Sequence, residues 1–392
     1  MDVYSEIPNV NAHLHTPYSF SAFEKLTDIL DKAVDEDVKI VGINDFCSMD
    51  GYVEWNNESI KRHLYPLFNI EFISLQQEDQ DQGRRINDPN NPGRIYISGK
   101  GLCCPPKLSK PYLAKLAEIR AESNSQVMEM CRQINVLLMA NDAGFNLDFD
   151  IIKKLFTKGL VRERHLVKAL RLSAYIHFKN KPDEIYSFFN KIFNGKTLHS
   201  DIFNSVGVEN EIRSNLLKAG GAAFVPEEPN AFLQIEEVCR IIIAAGGIPT
   251  YPFLGDNQEG VYTEFENDLE KAADTLKQRG FYSTEFIPTR NNIEALEKYA
   301  GYLYNNGFVV TFGTEHNTPA MEPVKLSTRG NIQLSESLKQ INYNGACVIA
   351  SHQERICTGK QGYVSDNGMV DITKRDVFIK EGDRLIQKVI TL

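Results

Sequence analysis

Apolar and polar positions follow two periods along this chain, one typical of strands and one typical of helices. In the segment 26–38, apolar residues recur three and four positions apart with charges between them, which predicts a helix. The short apolar run 40–43 follows directly and predicts a strand. With the extended segment around His13, the pattern is strand, helix, strand, the unit that builds parallel sheets and barrels.

The same alternation continues on both sides of a central block. Residues 77–94 are polar and rich in Gly, Asn, Asp and Pro, which predicts a long surface loop. Further strands are predicted at 67–75, 95–98, 248–251, 281–286 and 308–312. Helices are predicted at 234–245, 265–278 and 293–306.

The central block has a helical texture with few strand-like runs. Its predicted helices are 115–139, 147–156, 165–178, 182–193 and 208–218. We therefore expect a barrel or sheet divided by a helical insertion. The predicted segments are 1–110 and 225–325 for the two halves, 111–224 for the insertion and 326–392 for an extension of unclear role. Within this extension, the pattern predicts one helix at 335–343.

Composition narrows the class of partner. The 392 residues carry a net charge of -9 without a long basic run, so an extended nucleic-acid surface is not expected. The seven cysteines include no CxxC pair, which is typical of free thiols in a reducing cytoplasm. No signal peptide or apolar run of membrane-spanning length is apparent. We expect a cytoplasmic protein, and its oligomeric state stays open.

Two stretches suggest a metal site. His13 and His15 are two residues apart in an extended segment, so both imidazoles face one side and can reach one ion. A pair of histidines without a metal is an equally frequent explanation of this spacing. Glu71 lies in the middle of an apolar strand, where a carboxylate is costly unless it is paired or ligated. The alternative for Glu71 is a structural ion pair.

A cationic cluster stands at the predicted start of a helix in the insertion. Arg162, Arg164 and His165 lie where side chains and backbone amides both favour anions. This predicts a site for the anionic end of a substrate. A solvated helix start is the alternative explanation.

Taken in order, these stretches resemble the polymerase-and-histidinol-phosphatase (PHP) family of metal-dependent phosphoesterases. The resemblance covers about residues 9–325 and includes the helical insertion, whose Arg-x-His segment is found in one bacterial branch. The matching positions are His13, His15 and Ser19, the triplet 44–46, Glu71, the segment 250–252 and the segment 313–317. The resemblance implies a distorted (β/α)7 TIM-like barrel with metals at the C-terminal ends of its strands.

The chain also departs from the family pattern. Where the family has histidines, this sequence has Phe46, Tyr96 and Tyr251, and the aspartate after the first motif's Ser is Phe20. In the last motif Glu315 replaces an aspartate and Asn317 a histidine, with His316 between them. The ligands that remain are His13, His15, Glu71 and Glu315, with Asp45 and His316 in reserve.

Such a ligand set suits a single Zn, Mn or Fe ion. The resemblance then implies a hydrolase, and specifically a phosphoesterase that acts on a small phosphorylated or sugar-like compound through a metal-activated water. We expect Asp45 and Glu315 to be catalytic and the substrate to be bound by Arg162, Arg164, His165, Tyr96 and Tyr251. The alternative is a barrel that has lost hydrolysis and serves as a binding or regulatory module, or as a lyase or isomerase.

Overall fold

The computed structural model describes residues 6–228, 231–256, 260–317 and 320–392. Seven strands form one sheet in chain order, and all neighbours are parallel except that β4 runs antiparallel to both β3 and β5. The strands are β1 Asn9–Leu14, β2 Val38–Phe46, β3 Tyr65–Leu75, β4 Arg94–Lys100, β5 Ile248–Phe253, β6 Ser283–Phe286 and β7 Val309–Phe312. The predicted barrel with an insertion is confirmed.

Helices surround the sheet. α1 buries Leu26, Ile29, Leu30 and Ala33, the stripe that predicted it, but it ends at Asp35 because Val38 already starts β2. The helices next to the barrel strands are α1 Leu26–Asp35, α2 Tyr52–Ile60, α9 Ile235–Ala244, α10 Leu269–Gln278 and α11 Ile293–Asn305. Among the described residues, none of the helices combines the length and apolarity needed to cross a membrane.

The segment 77–94 differs from the surface loop that its composition predicts. It contains a short helix, α3 Gln77–Asp81, and it buries Ile86, Asn87 and Asp88. The Asn87 amide exchanges two hydrogen bonds of 2.8 and 3.0 Å with the Tyr96 backbone and donates to Pro252 O at 2.8 Å. The loop folds inward because these bonds satisfy backbone groups where β4 and β5 separate.

The insertion is built from five helices with a hydrophobic cluster of their own. Most of its buried apolar residues, from Val127 to Ala223, form this cluster, whereas Leu116, Ile119 and Leu160 belong to the cluster inside the barrel. The helices are α4 Lys110–Ala140, α5 Phe149–Phe156, α6 Glu163–His177, α7 Pro182–Ile192 and α8 Ser205–Ile212, and a π-helical turn Arg213–Leu217 follows. The four-part division drawn from the sequence stays a prediction.

The C-terminal region contains more helix than its pattern predicts. α12 spans Glu336–Cys357 instead of 335–343, and α13 Arg375–Ile390 packs against it. Polar residues interrupt the apolar stripe of α12, yet they are buried because they bond to strand backbones. The Gln353 amide accepts from Phe68 N at 3.0 Å and donates to Pro66 O at 3.2 Å. A small hairpin, β8 Ser327–Thr328 with β9 Ile332–Gln333, precedes α12.

One side chain of α12 closes the barrel. β1 and β7 are the two edges of the sheet and meet through a bridge between Leu14 and Glu315. At the seam between these two strands, closer to the start of β1, buried Asn342 accepts from Phe312 N at 2.8 Å and donates to Val10 O at 3.1 Å. The amide thus replaces the strand-to-strand hydrogen bonds that a closed barrel would make here.

We expect Asn342→Ala to lower the free energy of unfolding by roughly 2–4 kcal/mol, because it leaves a buried N–H and a buried carbonyl without partners. Urea denaturation measures this loss. Gln340→Ala, at an exposed position of the same helix, is the matched control. Equal stability of the two variants would contradict the role assigned to Asn342.

A buried histidine gives the protein a pH-dependent stability. His352 is held in its neutral form, since Nε2 donates to Gly246 O at 2.8 Å and Nδ1 accepts from Tyr363 N at 2.9 Å. Burial lowers the pKa of His352 from 6.5 to about 4. The folded state therefore favours the neutral ring, and this contribution is present above pH 6.5 and lost as the pH falls toward 4.

When the pH falls from about 7.5 to about 4.5, we expect the unfolding free energy to fall less in His352→Gln than in the wild type. The difference between the two losses should be on the order of 3 kcal/mol. Unfolding free energies of both proteins at the two pH values measure it. Other groups titrate in both proteins and cancel in the difference. An identical pH dependence would refute the assignment.

Candidate metal centre

Three side chains converge at one end of the barrel. His13 lies on β1, His15 directly follows the last residue of that strand, and Glu71 lies in the middle of β3. The two Nε2 atoms are 3.3 Å apart, and the Glu71 carboxylate oxygens lie 3.7 Å from His13 Nε2 and 3.6 Å from His15 Nε2. All three side chains are buried. The structure thus brings together the two histidines and the glutamate that the sequence nominated.

The donor atoms fit one divalent ion. Ligand atoms about 2.0–2.1 Å from a tetrahedral ion are separated by roughly 3.4 Å, which is close to the spacing observed here. Burial lowers the pKa of His15 well below its usual value, with a further contribution from His13, so the ring is neutral as a metal ligand requires. Burial, followed by the carboxylates of Glu315 and Glu285, raises the pKa of Glu71 well above its usual value. A cation between these atoms would relieve that repulsion.

A second set of buried groups supports the first histidine. Glu285 on β6 accepts from His13 Nδ1 at 3.0 Å, which fixes the ring so that Nε2 faces the other donors. Ser98 donates to the same carboxylate at 2.8 Å, and Lys100 Nζ donates to it at 2.6 Å. Burial alone would raise the pKa of Glu285, but Lys100 and His13 outweigh it and hold that pKa far below its usual value.

Sequence reasoning missed Glu285 and Lys100 as parts of the site. The signal was available for Glu285, which is a charged residue in a strand of otherwise uncharged residues, the argument that selected Glu71, whereas β4 contains Arg94 as well as Lys100. Asn44 on β2 also reaches this group, with its Nδ2 3.0 Å from His13 Nε2, and its buried Oδ1 has no hydrogen-bond partner among the described residues. An unpaired buried amide oxygen beside a histidine is a further polar atom that a cation could satisfy.

Asp45 supports the second histidine from a distance. Its carboxylate accepts from Thr16 N at 2.7 Å, Thr16 Oγ1 at 2.5 Å and Ser19 Oγ at 2.6 Å. Ser19 Oγ in turn lies 3.4 Å from His15 Nδ1. Burial raises the pKa of Asp45 to about 7, although these three hydrogen bonds oppose the shift. Asp45 is fully buried and reaches His15 only through Ser19.

Glu315 and His316 follow β7, and both were expected to bind the metal, but their side chains point in different directions. Glu315 lines the cavity, where its Oε2 accepts from Arg290 at 2.6 Å and from Asn317 at 2.8 Å. His316 is turned away, with Nδ1 2.6 Å from Thr314 Oγ1 and Nε2 2.9 Å from Glu322 O. The structure therefore does not bring His316 to the donor group. Thr318 and Pro319, which follow this motif, lie outside the described residues.

A cavity of about 470 Å³ opens above the donor group. His13 and Glu71 lie at its base, and Tyr96 is part of its wall. Four arginines line it: Arg162, Arg164, Arg213 and Arg290. The Arg162 guanidinium lies over the rings of Phe46 and Phe20, 5.1 and 5.5 Å from their centroids. Two aromatic rings thus hold a fixed cation over the site.

Of the remaining residues that were predicted to bind the substrate, Arg164 lines the cavity, whereas His165 and Tyr251 do not. Burial, and then repulsion from Arg213, lowers the pKa of Arg164 to about 10, and within the described part of the chain no carboxylate lies within 4.0 Å of it. His165 is not on the cavity wall, because its Nδ1 accepts from Arg162 N at 2.9 Å and holds the start of α6. Tyr251 is buried and donates to Glu266 at 2.9 Å.

Comparisons with known proteins bear on the fold. No family model and no curated relative matches the chain. A solved structure of a candidate metal-dependent phosphoesterase from Bifidobacterium adolescentis is similar, with 15% identity and a TM-score of 0.54 over 85% of this chain and 94% of that one. An amidohydrolase from Chromobacterium violaceum, solved with bound sulfate and no metal, is similar with 15% identity and a TM-score of 0.52 over 85% and 96% of the two chains.

These likenesses show the barrel fold that the chain shares with the two hydrolases. The buried His13, His15 and Glu71 group is, by its donor types and spacing, suited to a divalent metal.

We expect removal of the Glu285 carboxylate to weaken metal binding by roughly 10- to 100-fold, because His13 loses the group that orients it. The double variant Lys100→Met, Glu285→Gln removes both buried charges together and avoids leaving Lys100 unpaired. Calorimetric titration with Zn²⁺ or Mn²⁺ measures the affinity, with Glu297→Gln on the exposed side of α11 as control. Unchanged affinity in the double variant would contradict the supporting role.

Proposed function

We propose that the chain is a divergent member of the PHP group of metal-dependent phosphoesterases that hydrolyses a small phosphorylated compound. The observation that carries this proposal is that His13, His15 and Glu71 form one donor group, of which His13 and Glu71 line an arginine-lined cavity. A divalent ion, Zn, Mn or Fe, would be held by these donors. The arginines would bind the anionic group, since guanidinium matches phosphate in shape and charge.

The charge of the cavity supports an anionic substrate. Arg213 is paired with Glu163 at 2.6 Å and Arg290 with Glu315 at 2.6 Å, so these two cations are compensated. Arg164 has no such partner among the described residues, and the nearest carboxylate to Arg162 lies 3.9 Å away, in Glu163. A phosphate group would supply the missing negative charge. The sulfate recorded in the Chromobacterium structure is an anion of the same tetrahedral shape.

Each residue has a separate part in the reaction. The metal ion, when bound, supplies a water of lowered pKa and neutralises charge on the phosphoryl oxygens. Glu285 and Asp45 are positioning residues, the first acting on His13 directly and the second on His15 through Ser19. Arg162, fixed over Phe46, places the phosphoryl group above the donors.

Glu315 is the carboxylate best placed to take a proton. Both of its hydrogen bonds are made by Oε2, and its Oε1 has no partner within the described part of the chain. Because Glu315 lines the cavity beside Glu71, Oε1 can accept a proton from an attacking water. Tyr96, on the same wall, can donate to a substrate oxygen.

The test combines metal analysis with turnover of a panel of phosphate esters. We expect the wild-type protein to bind about one divalent ion per chain and to lose phosphatase activity with a chelator. His13→Gln and Glu71→Gln should each reduce both metal content and kcat/KM by at least about 100-fold. His63→Gln, at an exposed histidine outside the site, is the control and should match the wild type.

A protein that binds no metal and hydrolyses no phosphate ester in any of these forms would exclude the hydrolase. Ligand binding that does not depend on metal would then favour a binding module, and turnover without consumption of water would favour a lyase or isomerase.

A further inference from the structure

The cavity above the metal donors is joined by a second, mostly apolar cavity. This apolar side cavity has a volume of about 220 Å³ and lies between α4 and residues 225–228 and 231–232. Ile119, Val225, Pro226 and Phe232 give it an apolar lining. Its lining residues Phe46, Ile73 and Ile119 belong to the hydrophobic cluster of the barrel, and it opens next to the arginine-lined cavity.

The two cavities share part of their walls. Phe46, Ile73 and Arg162 line both of them. Arg162 stands at the junction, where its Nη1 donates to Ser123 Oγ at 3.1 Å and its guanidinium lies 5.1 Å from the Phe46 centroid. A ligand whose charged group contacts Arg162 from one side can therefore extend its other end along Phe46 and Ile73 into the side cavity.

The surroundings restrict what can occupy the side cavity. Four glutamates contribute to its lining, Glu122, Glu129, Glu227 and Glu228, so a second anionic group is disfavoured there. An apolar cavity of about 150 Å³ accommodates benzene, so the space here suits a substituted ring or a short alkyl chain. The observations favour one anionic end and one uncharged apolar end in the same molecule.

We propose that the substrate is a phosphomonoester of an apolar alcohol, aromatic or of about six carbons, whose hydrocarbon part occupies the apolar side cavity. This inference rests on the proposed phosphoesterase function. In the reaction, the hydroxyl of water goes to phosphorus, the bond from phosphorus to the alcohol oxygen breaks, and the alcohol leaves with the proton. Inorganic phosphate remains with the arginines and the apolar alcohol with the side cavity.

The experiment uses two homologous series on the full-length protein with added Mn²⁺. The n-alkyl phosphates from ethyl to hexyl report turnover as kcat/KM, and the corresponding n-alkyl phosphonates, which are not hydrolysed, report binding by calorimetry. We expect kcat/KM and phosphonate affinity each to rise with chain length, by up to about fourfold per methylene group that becomes buried.

A matched pair of variants locates the effect. Ser125→Trp places a large side chain in the lining of the side cavity, at an exposed position of α4 where folding is not at risk. Met128→Trp puts the same side chain on the same helix at an exposed position outside the cavity lining. The dependence on chain length should flatten in Ser125→Trp and persist in Met128→Trp, with ethyl phosphate hydrolysed equally well by both.

The outcomes separate the two proposals. Turnover of alkyl phosphates without any dependence on chain length would overturn the apolar side cavity as a substrate site and leave the phosphoesterase intact. A dependence of phosphonate affinity on chain length without any turnover would support the ligand chemistry and overturn the phosphoesterase. Equal flattening in both tryptophan variants would overturn the location assigned here, and the absence of both binding and turnover would overturn both proposals.

Discussion

Burial of carboxylates inside a barrel is the constraint on which this structure depends. A carboxylate away from water is stable only when positive charge or several hydrogen bonds surround it. Glu285 meets this condition through Lys100 and His13. Glu71 is also buried, but it is flanked by Glu285 and Glu315 and by imidazoles, of which His15 is held neutral. A cation bound between the three donor side chains would therefore stabilise the Glu71 carboxylate.

The aromatic replacements change how charge is provided at the same end of the barrel. On the proposed family assignment, Phe46 and Phe20 stand where a histidine and an aspartate would be. Their rings carry the Arg162 guanidinium, and Phe20 also stacks on His15 with 4.8 Å between centroids. On this assignment, a smaller set of metal ligands together with the fixed Arg162 guanidinium replaces the larger set of metal ligands in the family. This explains how losses that seem damaging in the sequence remain compatible with binding an anion.

The sequence predicted much of the barrel because its strands are short apolar runs. Glu71 could be nominated since a charge within such a run is costly, and the same argument would have selected Glu285. The extent of α12 could not be predicted, because its amides at Asn342 and Gln353 look like surface residues until their backbone partners are known. Hydrophobic periodicity predicts only the apolar part of a buried helix, because buried polar residues do not contribute to the pattern.

The last motif shows a different limit. Strand alternation placed Glu315 and Asn317 on one side, and both do line the cavity. His316 depended on a sharp turn, and the backbone does turn, with φ of 65° at Glu315 and 56° at His316. The turn nevertheless directs the imidazole to Thr314 and Glu322, because their hydrogen bonds satisfy both ring nitrogens. Local sequence indicated the bend but not its direction.

The Asn342 link across the barrel seam also has a consequence for the order of assembly. Synthesis proceeds from the N-terminus, so His13 and His15 leave the ribosome long before α12, the helix that joins β1 to β7. Val10 and Phe312 therefore gain the amide that joins them only after this helix has been synthesised, although β1 is among the first segments to be translated.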